Sequence, residues 1–196
     1  MKLLCHLAVI LPLAITTACF RQAERQIFYS PTQTGLTLVF ENPSYAQESV
    51  QLSVNNAKQT SDGLEVSCSV TSLKGTVNTN FLCREDGGVY SISSDGTKTI
   101  IVPPGFPNKT DSWQADGISY RVIGRAKHDI PAVALKESIG VWVEAIPVSQ
   151  QPQNSGNQKA HIFFLPGLGQ AETKVLRRET WVTVNRLVQM GNTEVF

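Results

Sequence analysis

From Leu36 to Val188 the apolar residues of this chain recur at every second position, in short runs cut by Gly, Pro, Asn and Asp, and no stretch sustains a 3.6-residue period. Such alternation sets one face of an extended segment against a core and leaves the other wet, whereas a helix needs apolar residues at i, i+3, i+4 and i+7. The chain is therefore expected to be mainly β, with few or no helices. The strongest stretch is Ala160 to Leu187, three strand-like runs punctuated by Pro166-Gly167 and by Arg177-Arg178-Glu179. It is a scaffold signal, and nothing in it assembles a nucleophile, a metal cage or a phosphate cradle.

The other strands follow by the same reading. Val50, Leu52 and Val54 alternate with polar residues, and after Ser61-Asp62-Gly63 the residues Leu64, Val66, Cys68 and Val70 line one face. Asp95-Gly96 and Asp116-Gly117 are hairpin turns by composition. The run Pro103-Pro104-Gly105-Phe106-Pro107 must leave the sheet, because successive prolines cannot donate ladder bonds. It reads as a crossover between two halves of the sheet. Pro131 to Ser138 is open between a helical turn and a strand, Val141 to Ile146 is a strand ended by Pro147, and Ser149 to Lys159 is a polar loop.

Residues 1–18 have the three parts of a secretory signal: Lys2, an apolar run from Leu3 to Ile15, and small residues before Cys19. The run falls short of the roughly 20 residues of a membrane-crossing helix. Ala18-Cys19 suits the cleavage site at which a bacterial lipoprotein's cysteine is lipidated; simple secretion and an uncleaved anchor are the alternatives. Residues 19–34 would form a tether, although Phe20, Ile27, Phe28 and Tyr29 could dock on the body, which is a single domain over residues 35–196.

With Lys2 removed, the 17 basic residues become 16 against 16 acidic ones. A near-zero balance argues against a nucleic-acid partner. The cluster of Lys174, Arg177 and Arg178 with Glu172 and Glu179 reads as a solvated strand-end corner. Cys68 and Cys83 lie symmetrically about Gly75-Thr76, so a hairpin centred there would place them opposite each other, and in an oxidising compartment a Cys68–Cys83 disulfide is expected. A zinc site is not, since His128 and His161 lack ligand spacing.

Enzymatic readings find little purchase. There is no G-x-S-x-G elbow, and Asp129 beside His128 is only a sequence neighbour. Gly167-Leu168-Gly169 is a turn with no helix behind it to bind phosphate. Glu144 and Glu172 could face each other as a glycosidase pair, an arrangement expected by chance among 16 acidic residues. Trp113, Trp142 and Trp181 read first as core aromatics and second as a sugar- or lipid-stacking surface. Phe106 reads first as a core residue pinned between prolines, and second as an exposed apolar probe.

Asp86-Gly87-Gly88-Val89-Tyr90, the Pro-rich segment from Pro103 to Trp113, and the Pro166–Gly169 corner resemble a large group of uncharacterised bacterial envelope proteins. That group is similar in fold to the lipoprotein-localisation proteins LolA and LolB. The resemblance implies a strongly curved antiparallel meander or incomplete barrel whose concave face receives acyl chains or another elongated apolar partner. The mobile membrane-inserting loop and gating arginine of those carriers have no counterpart here. The expectation is a non-enzymatic envelope lipoprotein, outer-membrane-anchored through Cys19, without cofactor or metal. It would bind an apolar ligand or a partner protein; the alternatives are an assembly subunit of an envelope complex and a hydrolase with an unrecognised site.

Overall fold

The computed structural model describes residues 28–133, 138–148 and 159–192. The signal and residues 19–27 of the tether, Cys19 among them, lie outside the described residues, as do residues 134–137 of the ambiguous segment and residues 149–158 of the polar loop.

Twelve strands form one antiparallel sheet: β1 (Leu36–Asn42), β2 (Tyr45–Thr60), β3 (Gly63–Ser72), β4 (Gly75–Cys83), β5 (Val89–Ile92), β6 (Lys98–Val102), β7 (Ser112–Ala115), β8 (Ile118–His128), β9 (Ser138–Pro147), β10 (Ala160–Leu165), β11 (Gly169–Arg177) and β12 (Thr180–Asn192). Among the described residues there is no helix. The spatial order is β6-β5-β4-β3-β2-β1-β12-β11-β10-β9-β8-β7. Each half of the chain is thus a meander, and the halves are stitched together by β1 on β12, with Leu36 opposite Asn192 and Phe40 opposite Leu187. The strands at the two ends of that order, β6 and β7, come together at a seam, so the sheet is a nearly closed barrel.

The turn chemistry explains the hairpins. Asp116 and Gly117 both take positive φ, 49° and 71°, and join β7 to β8 as the two-residue turn expected of Asp-Gly. Arg178 and Glu179 do the same between β11 and β12, at φ 45° and 67°. The Asp95 carboxylate accepts from Ser93 Oγ and from the Thr97 backbone N–H, fixing the turn between β5 and β6. These hydrogen bonds hold its pKa down at about 2.

The Pro-rich crossover does leave the sheet, and it lies across the seam. Phe106 is 8 % exposed and meets Tyr29, Trp113 and Phe164 edge-on at 4.8, 5.7 and 5.9 Å between ring centres. It is a core residue. The end of the expected tether docks as well: the Phe28 carbonyl accepts the Gly167 N–H at 2.6 Å, and Phe28 and Tyr29 pack on the core.

The expected disulfide is corrected by the register. The β3–β4 hairpin turns at Leu73-Lys74, with Ser72 opposite Gly75, so Cys68 faces Thr79 and Cys83 faces Leu64. The cysteines are four residues out of register, on the order of 10 Å along the strand and beyond what a disulfide spans. Both are free and buried. A slip by an even number of residues leaves every side chain on its own face, so the apolar pattern alone accepts either register. The turn is fixed instead by polar contacts: the Lys74 N–H donates to Ser72 Oγ at 3.2 Å, and Ser69 Oγ donates to Asn78 Oδ1 at 3.1 Å.

Candidate functional site

Two concavities stand out, on opposite faces of the sheet. The first lies inside the barrel. Its walls are Leu38, Phe40, Val50, Leu52, Phe81, Val89, Ile101, Phe164 and Leu168, with Tyr29, Ser30, Gln170 and Asn185 adding a polar edge; its volume is about 290 Å³. Ile101 on β6 and Phe164 on β10 are eight places apart in the sheet, about 38 Å on a flat one. That both line one cavity establishes this face as the concave one. Small-molecule pockets run from about 300 to 1,000 Å³, so the space suits a single aliphatic or aromatic group.

The second is built on the other face of β8 to β12. Neighbouring residues of a strand point opposite ways: Phe164 enters the apolar cavity while Phe163 joins the other side. There Phe163 fills the space over Gly140, where a Cβ would come within 2.4 Å of its ring and 2.5 Å of the Phe164 carbonyl oxygen. Next to Phe163 on β11 is Glu172, with 0 % of its surface exposed. Its Oε2 is 2.7 Å from His128 Nε2 and accepts from Arg186 Nε at 3.0 Å. Its Oε1 accepts from Thr183 Oγ1 at 3.1 Å and faces Lys174 Nζ at 3.3 Å. Burial alone would push this carboxyl up, but the His128 and Arg186 hydrogen bonds and the Lys174 and Arg186 charges prevail and hold it below its ordinary 4.5.

β-Bulges bring these groups together. Val184 is an extra residue in β12, which puts Thr183 on the same side as Arg186, and Ile123 in β8 does the same for Arg121 and Gly124. His128 and Glu172 touch although their strands are three places apart, about 14 Å on a flat sheet. The sheet therefore curls toward this face at the end of β8.

A second ionic group lies alongside. Glu144 accepts from Arg121 at 2.9 Å and faces Lys159 at 3.8 Å and His161 at 3.9 Å. Aromatic rings cover both groups: Trp181 stacks on His161 at 3.6 Å, and the Lys174 ammonium sits 5.0 Å from the centre of the Trp142 ring. Burial keeps the His161 pKa below 6.5, with Lys174 and Lys159 adding to the effect against the pull of Glu144.

Several expectations meet here. Glu144 and Glu172 share a face, each enclosed by its own cations. Glu172 and Lys174 belong to this cluster and not to a solvated corner, which is confined to Arg177–Glu179. His128 and His161, distant in sequence, line one groove with Trp142 and Trp181, while Trp113 packs against the core and stacks on Tyr120. Among the described residues no group of three or more His, Cys, Asp or Glu is placed to hold a metal ion.

No protein-family model and no curated protein matches the chain. Solved structures do match. A protein of Bacteroides fragilis described as exported and as having a YmcC-like fold superposes with a TM-score of 0.62 at 13 % identity, covering 85 % of this chain and 100 % of that one. The architecture is similar to the YmcC-like fold. A protein of Parabacteroides distasonis described as a lipoprotein gives 0.62 at 12 % identity, covering 84 % and 99 %. At such identities the likeness is one of fold, and it spans essentially the whole of both neighbours.

Proposed function

We propose that this chain is a non-enzymatic protein of the bacterial cell envelope, exported by residues 1–18, anchored through a lipidated Cys19, and binding an apolar ligand on the concave face of its sheet. The apolar cavity carries this reading. Its walls are mostly aliphatic and aromatic, and residues of β6 and β10, eight places apart in the sheet, line it together. The signal and the Ala18-Cys19 junction support the anchor, as do the descriptions of the two neighbours. The likeness to LolA and LolB belongs here too, as an expectation from the turn motifs about the kind of ligand.

A second reading is an assembly subunit without a small-molecule ligand. It is favoured by the tip of the β3–β4 hairpin, where Leu73 and Val77 are 78 % and 68 % exposed. Apolar side chains left in water at one end of a hairpin suit a protein contact.

The test has two arms. The full chain and Cys19→Ser are expressed with the native signal, and the membrane-fraction protein is weighed intact; added acyl mass on the wild type alone supports the anchor. The delipidated protein is then titrated with the fluorescent fatty acid cis-parinaric acid, beside Leu168→Glu, which sets a charge in the cavity from a turn. Saturable binding lost in the variant supports the apolar site. Absence of binding by the wild type moves the reading to the assembly subunit.

A further inference from the structure

We propose that the groove on the face opposite the apolar cavity is a separate binding site for an acidic saccharide. It is lined by Gly124, Ala126 and His128 of β8, Trp142 of β9, His161 of β10, Lys174 of β11 and Trp181 of β12, and its volume is about 490 Å³. Five adjacent strands contribute, and the volume is of the order of a few sugar rings.

The shape and chemistry of the lining select the ligand. Trp181 has one indole face on His161 and is 37 % exposed, so its other side is a wet aromatic platform. A pyranose ring presents a flat sheet of C–H groups that such a platform holds by dispersion and by exclusion of water. At the β8 side of the groove a Cβ on Gly124 would meet nothing within 4 Å, so that part of the floor is open. An acyl chain is disfavoured, because desolvating Lys174 and two histidines against methylenes costs more than the contact returns.

The charge balance fixes the sign. Glu172 is matched by Lys174 and Arg186, and Glu144 by Arg121 and Lys159, so the two carboxylates face twice as many permanent cations. The surplus attracts a carboxylate-bearing sugar over a neutral one. Lys174 stands over Trp142 and beside Glu172, where it can meet the anion while the ring stacks.

Tri-galacturonic acid, with the neutral trisaccharide maltotriose and inorganic phosphate as comparators, tests this on the folded protein by tryptophan fluorescence and calorimetry. The expected result is saturable binding of the uronate, at least about tenfold tighter than maltotriose and weakened by salt. Trp181→Ala and Lys174→Gln should each weaken it about tenfold with circular dichroism unchanged, while Leu168→Glu in the apolar cavity leaves it intact. Absence of uronate binding would overturn the assignment. So would binding indifferent to Trp181→Ala, or phosphate competing as well as the uronate, either of which describes only a cationic patch. Because the cavity variant is scored separately, failure here leaves the apolar-ligand reading standing, and the reverse.

Discussion

At the scale of single residues, Glu172 is a carboxylate buried completely among charged partners. Its charge is fully removed from water and balanced by Arg186, Lys174 and His128. Removing one partner of such a group strands the rest, which costs about 3–5 kcal/mol. Lys174 and Arg186 keep 27 % and 33 % of their side-chain surface in water, so Glu172→Ala should fall near the lower end, about 3 kcal/mol. The pH dependence follows from the lowered carboxyl pKa. The charged form is favoured by folding, so its contribution is complete above the ordinary value of 4.5 and is lost as pH falls through the lower folded value. Melts of the wild type and Glu172→Gln from neutral to acid pH should show a gap that closes below that value. The thiols make a second prediction. Burial pushes Cys68 up to about 11, with Cys83 adding to it, and raises Cys83 although a Ser30 hydrogen bond opposes the shift. Native protein at mild alkaline pH should therefore resist iodoacetamide, and unfolded, unreduced protein should take up a label at both Cys68 and Cys83. Failure of the unfolded chain to label would restore the disulfide.

At the scale of elements, the crossover is the part on which closure depends. Phe106 is its one deeply seated ring, and truncating a buried Phe costs about 3–5 kcal/mol. Phe106→Ala should lose that much in urea unfolding. It should also speed amide exchange in Lys98–Val102 and Ser112–Ala115, the two strands the seam brings together. Elements were also where the amino-acid pattern was most readable. Asp116-Gly117 and the alternation of Leu64, Val66, Cys68 and Val70 speak through local chemistry, which needs no tertiary context. The groove was unreadable for a definite reason. By strict alternation Thr183 and Arg186 face opposite ways, as do Arg121 and His128, and only the extra residues Val184 and Ile123 reverse that parity. Neither bulge is marked by a glycine at the inserted position. The apolar cavity lay between these extremes: Leu38, Leu52 and Phe81 were visible as inward-facing residues, but that the space between them stays open depends on the curvature of the whole sheet.

At the scale of the whole molecule, the twelve strands share one continuous hydrogen-bonded sheet, and the two halves meet at β1 and β12. Damage in one half should therefore be felt in the other. Leu38→Ala, in β1, removes a side chain only 1 % exposed and should cost about 2–5 kcal/mol. Trp113, Trp142 and Trp181 all belong to the second half. Their fluorescence should shift its urea midpoint by the same amount as circular dichroism does, whereas two separate transitions would mean two folding units. The pairing of first strand with last also bears on how the molecule is made. A chain delivered amino end first, by a ribosome or through a membrane pore, presents β1 long before Thr180–Asn192 emerges to cover its free edge. Until then the nascent product is an open ribbon with its central hydrogen-bonding groups bare, a template on which a second unfinished copy can nucleate. The edge of β1 is thus the last hydrogen-bonding surface of the sheet to be covered as the chain is made.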